Sequence, residues 1–297
     1  MPIIMIGGGS NIIWGDEGFP GLVAVNKISG FESFPEDDEN LYITIGAGEE
    51  WDSVVERVVK MGYSGLEQLS LIPGTTGATP IQNVGAYGQE IANVLVSVEA
   101  YDTHGNKFVT IPASDCRFGY RTSRFKTTDK GRFLITHVTL HVTKTNPLPP
   151  FYSSLQSYLD EHQITMFTPQ VIRDAVIAVR TSKLPDPDIV ANNGSFFANP
   201  IITKEQLAQL RIKHPQIVYW EQENNKIKLS AAWLIETAGF KGVHDKETGM
   251  ATWDKQALVL INEHAHHTAD LLKFKQKIVD KVQHMFHITL EQEPELI

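Results

Sequence analysis

The first half of the chain is built from short runs of β-branched and aromatic residues that end at turn residues. Such runs are typical of β-strands. They predict strands over residues 2–6, 22–25, 41–45, 94–101, 107–111 and 133–143. The run over 2–6 is apolar throughout, so we expect a buried strand that leads into a tight glycine turn. The acidic residues 36–40 predict a solvated hairpin loop.

Hydrophobic residues at helical spacing predict several helices. The first has one apolar face formed by Trp51, Val54, Val55, Val58 and Val59. After a proline-rich linker at 146–150, a second helix begins at Thr168-Pro169 and ends before 184–187, where prolines cannot continue it. Three later helices are predicted after a capping box at 203–206, over 228–237, and from Thr268 as a cap, with strands over 257–262 and 287–291.

Composition narrows the class of protein. At 297 residues, with 42% hydrophobic and 21% charged residues, the chain has the composition of a globular protein of about two domains. Its single cysteine, Cys116, excludes a disulfide framework and a multi-cysteine zinc site, and suits a reducing compartment. The net charge of −9 argues against general nucleic-acid binding but leaves small phosphorylated ligands open. Without a membrane-length apolar run or a signal peptide, we expect a cytoplasmic protein with no membrane partner.

Two glycine-rich segments are the first candidates for chemistry. Residues 7–11, Gly-Gly-Gly-Ser-Asn, match neither the GxGxxG fingerprint nor the P-loop, but their unobstructed N–H groups could form an anion nest. Residues 73–88 contain four glycines and three threonines without a single charge. This second segment indicates backbone folded closely against a flat polar ligand, or alternatively a set of buried turns.

Two groups of cations and one serine stand out beyond the glycine-rich segments of this acidic chain. Residues 117–124 and 180–183 concentrate Arg and Lys, which suit carboxylate or phosphate, although surface ion pairs or helix C-terminal charges would also explain them. Ser195 lies in a glycine turn, but Phe197 stands where the nucleophile motif GxSxG needs glycine, so we consider Ser195 a proton donor. His264, His266 and His267 predict a solvated loop rather than a metal site. On composition alone, 291–295 is an acidic tail.

Taken in chain order, six segments resemble those of one family. They are Gly7 to Asn11, Ile72 to Gly88, Gly119-Tyr120-Arg121, Lys183-Leu184-Pro185, Gly194 to Pro200 and Glu293-Pro294-Glu295. They resemble the UDP-N-acetylenolpyruvoylglucosamine reductases (MurB), flavoenzymes of peptidoglycan precursor synthesis. The resemblance covers nearly the whole chain in collinear order. Tyr152 resembles the lid-loop tyrosine that marks the three-domain subtype of this family.

The resemblance implies an α+β fold, in which an FAD-binding fold of the vanillyl-alcohol oxidase (PCMH) type precedes a C-terminal α/β substrate-binding domain. On this basis, 1–31 is the remainder of a first FAD-binding subdomain, 32–183 a second, 184–289 the substrate-binding domain and 290–297 a C-terminal segment that returns to the active site. Relatives usually carry a further strand and helix before the glycine turn and continue beyond the position of Glu295. Either the sequence is trimmed, or the protein folds with a reduced first subdomain.

The activity implied is that of a UDP-N-acetylmuramate dehydrogenase: NADPH reduces a noncovalent FAD, which passes hydride to the enolpyruvyl group of UDP-N-acetylglucosamine enolpyruvate. The hydride leaves an enolate beside a carboxylate. By resemblance, Arg121 binds and polarises that carboxylate, Glu295 hydrogen-bonds the enol as a protonated acid, and Ser195 protonates the α-carbon. The substrate-binding positions implied are Tyr120, Tyr152, Arg180, Lys183, Asn199, Lys241 and Gln256, with Arg180 and Lys183 suited to the diphosphate.

The flavin would lie against the two glycine-rich segments. We expect amide groups of 7–11 and 74–78 to hold its pyrophosphate, and residues between 82 and 87 to approach the isoalloxazine ring. The cofactor-binding positions implied are Gly7, Gly8, Gly9, Ser10, Asn11, Gly74, Thr75, Gly77, Ala78, Gln82, Asn83, Gly85 and Tyr87. The substrates expected are NADPH and the enolpyruvyl UDP-sugar, without a metal and with the protein as a monomer.

Two rival functions use the same residues. A flavin oxidase of the same fold would take oxygen as acceptor, but such enzymes often tether flavin through His or Cys, and residues 73–88 contain neither. That rival also leaves Arg180 and Lys183 unexplained. A nucleotide-sugar binding module without catalysis is the second rival. The joint presence of Ser195, Arg121 and Glu295 argues against it.

Overall fold

The structure, a computed structural model, describes residues 1–297. The strands are β1 (Ile3–Ile6), β2 (Ile12–Ile13), β3 (Leu22–Val25), β4 (Phe31–Pro35), β5 (Asn40–Gly46), β6 (Gly85–Ala86), β7 (Gln89–Glu90), β8 (Leu95–Asp102), β9 (Lys107–Pro112), β10 (Phe133–Thr143), β11 (Asn192–Ser195), β12 (Ile201–Thr203), β13 (Tyr219–Glu221), β14 (Lys226–Leu229), β15 (His244–Asp245), β16 (Met250–Trp253), β17 (Gln256–Asn262) and β18 (Glu295–Leu296). The α-helices are α1 (Trp51–Lys60), α2 (Ser153–Glu161), α3 (Pro169–Lys183), α4 (Lys204–Lys213), α5 (Ala231–Thr237) and α6 (Thr268–Phe286).

The chain divides into two compact units. The first unit comprises Met1–Ser10 and Pro20–Ser182, and the second comprises Asn11–Phe19 and Lys183–Ile297. No helix combines the length and the apolar character needed to cross a membrane.

The first unit is organised around an antiparallel sheet of five strands in the order β4-β5-β10-β8-β9. Alternate residues of β5 and β10 are buried, because successive side chains of a strand point to opposite faces. The five residues predicted for the apolar face of α1 are all buried in the same core cluster. Helices α2 and α3 form a smaller cluster around Leu155, Leu159, Ile172 and Val176. Strands β1 and β3 form a separate parallel pair.

The second unit contains a four-stranded antiparallel sheet, β11-β17-β16-β15, and a three-stranded one, β12-β14-β13. Its core cluster is formed mainly by α4, α5 and α6 with strands of both sheets, and Phe274, Ile278 and Val282 of α6 are fully buried within it. Strands β2 and β18 pair in parallel, with Glu295 opposite Ile12. The C-terminal segment is therefore part of the folded unit, and the alternative of a solvated acidic tail is wrong.

Most predicted elements are present, but four expectations are wrong. The strand at 3–6 is partly exposed rather than buried, with Ile3 63% exposed. Residues 228 and 229 belong to β14, so the helix predicted from 228 begins only at Ala231, after the cap Ser230. The N-cap of α6 is His267 rather than Thr268. Finally, 287–291 forms no strand, since His287 adopts a left-handed conformation at the end of α6.

Candidate active site

The glycine turn of the first unit lies directly against the second glycine segment. A Cβ atom on Gly7 would overlap Thr75 Oγ1, and one on Gly8 would lie 3.4 Å from Gly74 Cα. The N–H groups of Gly7, Gly8 and Gly9 donate to no acceptor in the protein. Thr75 Oγ1 is buried and also has no partner. The turn therefore offers a set of unpaired donors beside bare backbone, the arrangement of an anion nest.

The next residues of the second segment use their amides within the protein. Thr76 N donates to Glu49 O at 2.9 Å, Gly77 N to Ala47 O at 2.9 Å and Ala78 N to Thr75 O at 3.0 Å. The expectation that the amides of 76–78 face a ligand is therefore wrong. Gly77 has a packing role instead, because a Cβ there would lie 2.5 Å from that of Ala47.

Arg121 projects from a tight turn in which Gly119 and Thr122 exchange hydrogen bonds. Its backbone is left-handed, with φ of 52°. Its Nη2 donates to Gly85 O at 2.6 Å, so the structure joins the Gly119-Tyr120-Arg121 motif to the end of the second glycine segment. The guanidinium also lies 5.2 Å from the ring of Tyr120. Gln82, from the same segment, accepts a hydrogen bond from Lys126 at 3.4 Å.

Arg180, Tyr87 and Tyr152 form a second polar group in the first unit. Arg180 hydrogen-bonds Tyr87, whose ring meets that of Tyr152 edge to face at 5.9 Å. Burial lowers the pKa of the Arg180 guanidinium, although Tyr87 and Asp52 oppose that shift. Burial raises the pKa of the Tyr87 and Tyr152 phenols. Because Nε of Arg180 is buried without a partner, this cation remains suited to an anionic ligand group.

In the second unit, the segment that carries Ser195 runs beside the C-terminal segment. Ser195 ends β11 opposite Val259, and the chain continues into hydrogen bonds with the C-terminal residues. Glu293 N donates to Phe196 O at 2.9 Å, and Ala198 N donates to Glu291 O at 3.0 Å. Phe196 and Phe197, which follow the serine, are both 1% exposed and anchor the segment in the core.

Glu295 is held by the chain that immediately follows the glycine turn. Glu295 N donates to Asn11 O at 2.9 Å, and Asn11 Nδ2 donates to Glu293 O at 3.4 Å. Asn193 Nδ2, two residues before Ser195, donates to Ile12 O at 3.3 Å. The structure thus groups Asn11, Ser195 and Glu295 in the second unit. Asn11, expected beside a cofactor, hydrogen-bonds the C-terminal segment.

The remaining substrate-binding expectations fall on four residues of the second unit. Asn199 Oδ1 accepts from Ala231 N at 2.9 Å, which fixes the start of α5. The carbonyl of Lys183 accepts from Trp253 Nε1 at 3.0 Å, which anchors Lys183 within the second unit. Gln256 begins β17. Lys241 pairs with Glu236 at 2.9 Å on the surface, and its contact with a substrate stays a prediction.

Three charged residues missed by the sequence reasoning support these groups. Glu90 accepts a hydrogen bond from Asn83 at 2.6 Å, beside Gly85 and Arg121. The sequence signal was its position as the first charge after the uncharged stretch 73–88. Asp52 and Arg173 form an ion pair at 2.6 Å between α1 and α3, in which Arg173 is buried and Asp52 is partly exposed. Neither stands in a motif, so only the fold could pair them. The three histidines at 264–267 lie in an exposed loop, as expected.

Two family models match the chain in the order that the motifs predict. A model described as an FAD binding domain matches residues 1–110, and one described as UDP-N-acetylenolpyruvoylglucosamine reductase, C-terminal domain, matches residues 186–297. The α+β fold with an FAD-binding part and a reductase C-terminal part is confirmed. The residues present fit FAD, because the unpaired amides of Gly7–Gly9 and the orphaned Thr75 hydroxyl suit a pyrophosphate.

Curated relatives match the chain over its full length. A UDP-N-acetylenolpyruvoylglucosamine reductase of Chromobacterium violaceum is 39% identical over 99% of this chain and 85% of its own length. The reductase of Alcanivorax borkumensis is 40% identical over 100% of this chain and 84% of its own. The crystal structure of the reductase (MurB) of Thermus caldophilus shares the fold, with a TM-score of 0.64 at 21% identity over 99% of this chain and 85% of that one. The chain is therefore an FAD-dependent oxidoreductase of the UDP-N-acetylenolpyruvoylglucosamine reductase family.

Proposed function

We propose that this protein reduces the enolpyruvyl group of UDP-N-acetylglucosamine enolpyruvate to UDP-N-acetylmuramate, with NADPH as the electron donor. The hydride that the enol ether accepts at its β-carbon would come from bound FAD after its reduction by NADPH. The observation that carries the proposal is the pairing in the second unit. The Ser195 segment and the C-terminal segment with Glu295 are joined by hydrogen bonds at Phe196 and Ala198. These are the two segments that must supply a proton donor and an acid.

Each residue then acts where charge develops. Arg121 binds the substrate carboxylate and stabilises the negative charge that spreads onto it after hydride addition. Ser195 Oγ donates its proton to the α-carbon, and the resulting alkoxide regains a proton from water. Glu295 hydrogen-bonds the enol oxygen as a protonated acid. Arg180 and Lys183 hold the diphosphate, as a fork and a point charge respectively.

Cofactor binding is assigned to the backbone of the first unit. The amides of Gly7, Gly8 and Gly9 would hold the pyrophosphate of FAD, and the hydroxyl of Thr75 would donate a hydrogen bond to one of its oxygens. Gly85 and Tyr87 approach the isoalloxazine ring. For the domains we propose the boundaries 1–31, 32–183, 184–289 and 290–297 stated above. We also propose a monomer that acts in the cytoplasm.

The test separates the two half-reactions with the visible absorption of bound flavin under anaerobic conditions. NADPH should bleach the wild-type protein, and the enolpyruvyl UDP-sugar should restore its colour. Ser195→Ala should bleach at the wild-type rate but recolour about 10²- to 10⁴-fold more slowly, because only the second step needs the proton donor. Ser157→Ala, which removes an exposed hydroxyl from α2, is the matched control and should behave as wild type.

Two outcomes would overturn parts of this proposal. Equal slowing of both half-reactions in Ser195→Ala would remove Ser195 from the role of proton donor. A reduced wild-type protein that is recoloured by oxygen, and not by the enolpyruvyl UDP-sugar, would identify a flavin oxidase instead.

A further inference from the structure

Asn83 is a buried residue whose side chain is fully engaged inside the protein. It is 1% exposed and adopts a left-handed backbone, with φ of 50°. Its Nδ2 donates to Glu90 Oε2 at 2.6 Å and to Gly119 O at 3.1 Å, and its Oδ1 accepts from Ala92 N at 3.1 Å. Both amide protons are therefore used within the protein. The side chain of Asn83 consequently has no proton left for the flavin contact that the motif suggests.

The two acceptors of Asn83 both lie close to Arg121. Gly119 begins the tight turn that holds Arg121 in its left-handed conformation. Glu90 and the guanidinium both border the space above Gly85. A Cβ atom added to Gly85 would lie 2.8 Å from Glu90 Cγ and 3.0 Å from Arg121 Nη1, so the two side chains are neighbours. Asn83 thus connects the backbone of the Arg121 turn to the carboxylate next to the Arg121 side chain.

The environment of Glu90 explains why the connection is rigid. Its carboxylate also accepts the N–H of Asn93 in a capping box, so Asn83 and Asn93 both donate to it. Gly85 contributes twice, since its carbonyl accepts from Arg121 Nη2 at 2.6 Å and its missing side chain leaves room for both neighbours. The Gly85 carbonyl and the Glu90 carboxylate therefore restrict the orientation of the planar Arg121 guanidinium.

We propose that Asn83 is the positioning residue for Arg121: by holding Gly119 and Glu90 together, it fixes the direction in which the guanidinium meets the substrate carboxylate. This inference rests on the proposed function of Arg121. Preorganised charge stabilises a developing anion because no reorientation is needed during the reaction. Displacement of such a group by about 1 Å costs on the order of 10²-fold in rate.

Asn83→Asp tests this role with little change of shape. Aspartate tolerates the left-handed backbone, but it replaces the amide donor by an acceptor that faces Glu90 and the Gly119 carbonyl. We expect recolouring of reduced flavin by the enolpyruvyl UDP-sugar to slow about 10- to 100-fold, with NADPH-driven bleaching affected far less. Asn106→Asp is the matched control, since Asn106 also has a positive φ of 51° but lies in the β8–β9 turn.

A double-mutant cycle distinguishes positioning from a general structural role. In an Arg121→Lys background, Asn83→Asp should add less than about twofold, because the group it positions is already gone. A full additional 10-fold loss in that background would overturn the inference. Calorimetric binding of the enolpyruvyl UDP-sugar to the oxidised protein, which has no hydride to transfer, gives a readout without turnover, and Asn83→Asp should weaken that binding only when Arg121 is present.

The failures of the two proposals are separable. A wild-type protein that NADPH bleaches but the enolpyruvyl UDP-sugar never recolours would refute the proposed function. A wild-type protein that recolours, with an Asn83→Asp variant that recolours equally fast, would refute the positioning role alone. If Asn83→Asp does not fold, Asn83→Gly takes its place, since glycine tolerates the left-handed backbone and removes both donors. It should then show the same non-additivity with Arg121→Lys.

Discussion

The ion pair between α1 and α3 allows a prediction whose size follows from its geometry. Arg173 donates to both carboxylate oxygens of Asp52, at 2.6 Å and 2.9 Å, and Leu71 N donates to Asp52 Oδ1 at 2.5 Å. The side chain of Arg173 is 6% exposed and that of Asp52 is 22% exposed. Three charge-assisted hydrogen bonds therefore converge on one carboxylate that has limited access to water.

Asp52→Asn keeps the shape of this carboxylate but leaves Arg173 as a buried cation without a counter-charge. Removal of one partner from a fully buried pair costs roughly 3–5 kcal/mol. Because Asp52 is partly reached by water, we expect a loss of about 2–4 kcal/mol in the free energy of unfolding. For a domain of this size, that loss corresponds to a fall of roughly 5–15 °C in the melting temperature.

The pH dependence of the loss has a definite sign. Burial alone would raise the pKa of the Asp52 carboxyl, but the hydrogen bonds from Arg173 and Leu71 outweigh burial and hold that pKa below its ordinary value. A depressed folded-state pKa stabilises the protein above the unfolded-state pKa of about 3.9. That contribution disappears as the pH falls through the lower, folded-state pKa. The difference between wild type and Asp52→Asn should therefore be full at neutral pH and shrink below about pH 4.

Urea unfolding followed by circular dichroism measures the free energy, and hydrogen exchange of peptides from α1 and α3 locates the loss. Glu56→Gln is the matched control, because it is also an acid-to-amide change on α1. Glu56 pairs with Lys60 at 3.0 Å on the surface, where such a pair contributes at most about 0.5 kcal/mol. An Asp52→Asn protein within about 0.5 kcal/mol of wild type, or a difference that persists unchanged in acid, would refute the reasoning.

Three further predictions concern packing and substrate binding. Gly48→Ala should cost about 1–3 kcal/mol in urea unfolding, because its Cβ would lie 2.5 Å from backbone atoms of Lys27; full stability would contradict the fold. Phe274→Ala should cost about 3–5 kcal/mol in the same assay, since the ring is 0% exposed in the core of the second unit; a loss below about 1 kcal/mol would contradict that packing. Lys183→Ala should raise the KM for the UDP-sugar more than it lowers kcat, and the reverse pattern would point to a chemical role for Lys183.

Local periodicity was a sufficient guide where one face of an element is buried. The apolar stripe of α1 and the long strand β10 were predicted within a residue, because burial on one face imposes a regular pattern. Periodicity was a poor guide where a strand and a helix follow each other without a loop. Strand β14 leads directly into the cap Ser230 and helix α5, so one run of residues contains both the two-residue repeat of a strand and the 3.6-residue repeat of a helix. The segment after α6 alternates Ile288 and Leu290 with polar residues as a strand would, but it forms no strand, and the local pattern does not reveal this.

The motifs identified the residues of the candidate site but not the contacts between them. The serine turn, the arginine motif and the C-terminal glutamate were named through their resemblance to the reductase family, whereas composition alone made 291–295 an acidic tail. The hydrogen bonds that join the Ser195 segment to residues 291–293 link positions almost a hundred residues apart. Such pairing depends on the register of distant strands, and nothing in the local sequence specifies it.

Two glycines show that the same residue type in a motif can have different roles, ligand binding in one case and internal packing in the other. Gly8 and Gly77 were both expected to offer an amide to a ligand. The amide of Gly8 has no acceptor in the protein, whereas that of Gly77 donates to Ala47 O at 2.9 Å. Gly77 is needed because a Cβ would collide with Ala47, so its constraint is steric and internal. A motif records that a side chain is forbidden, but only the hydrogen-bond partners show whether a ligand or the protein itself occupies the space. On that criterion, we assign the proposed anion site of the first unit to Gly7–Gly9 rather than to 76–78.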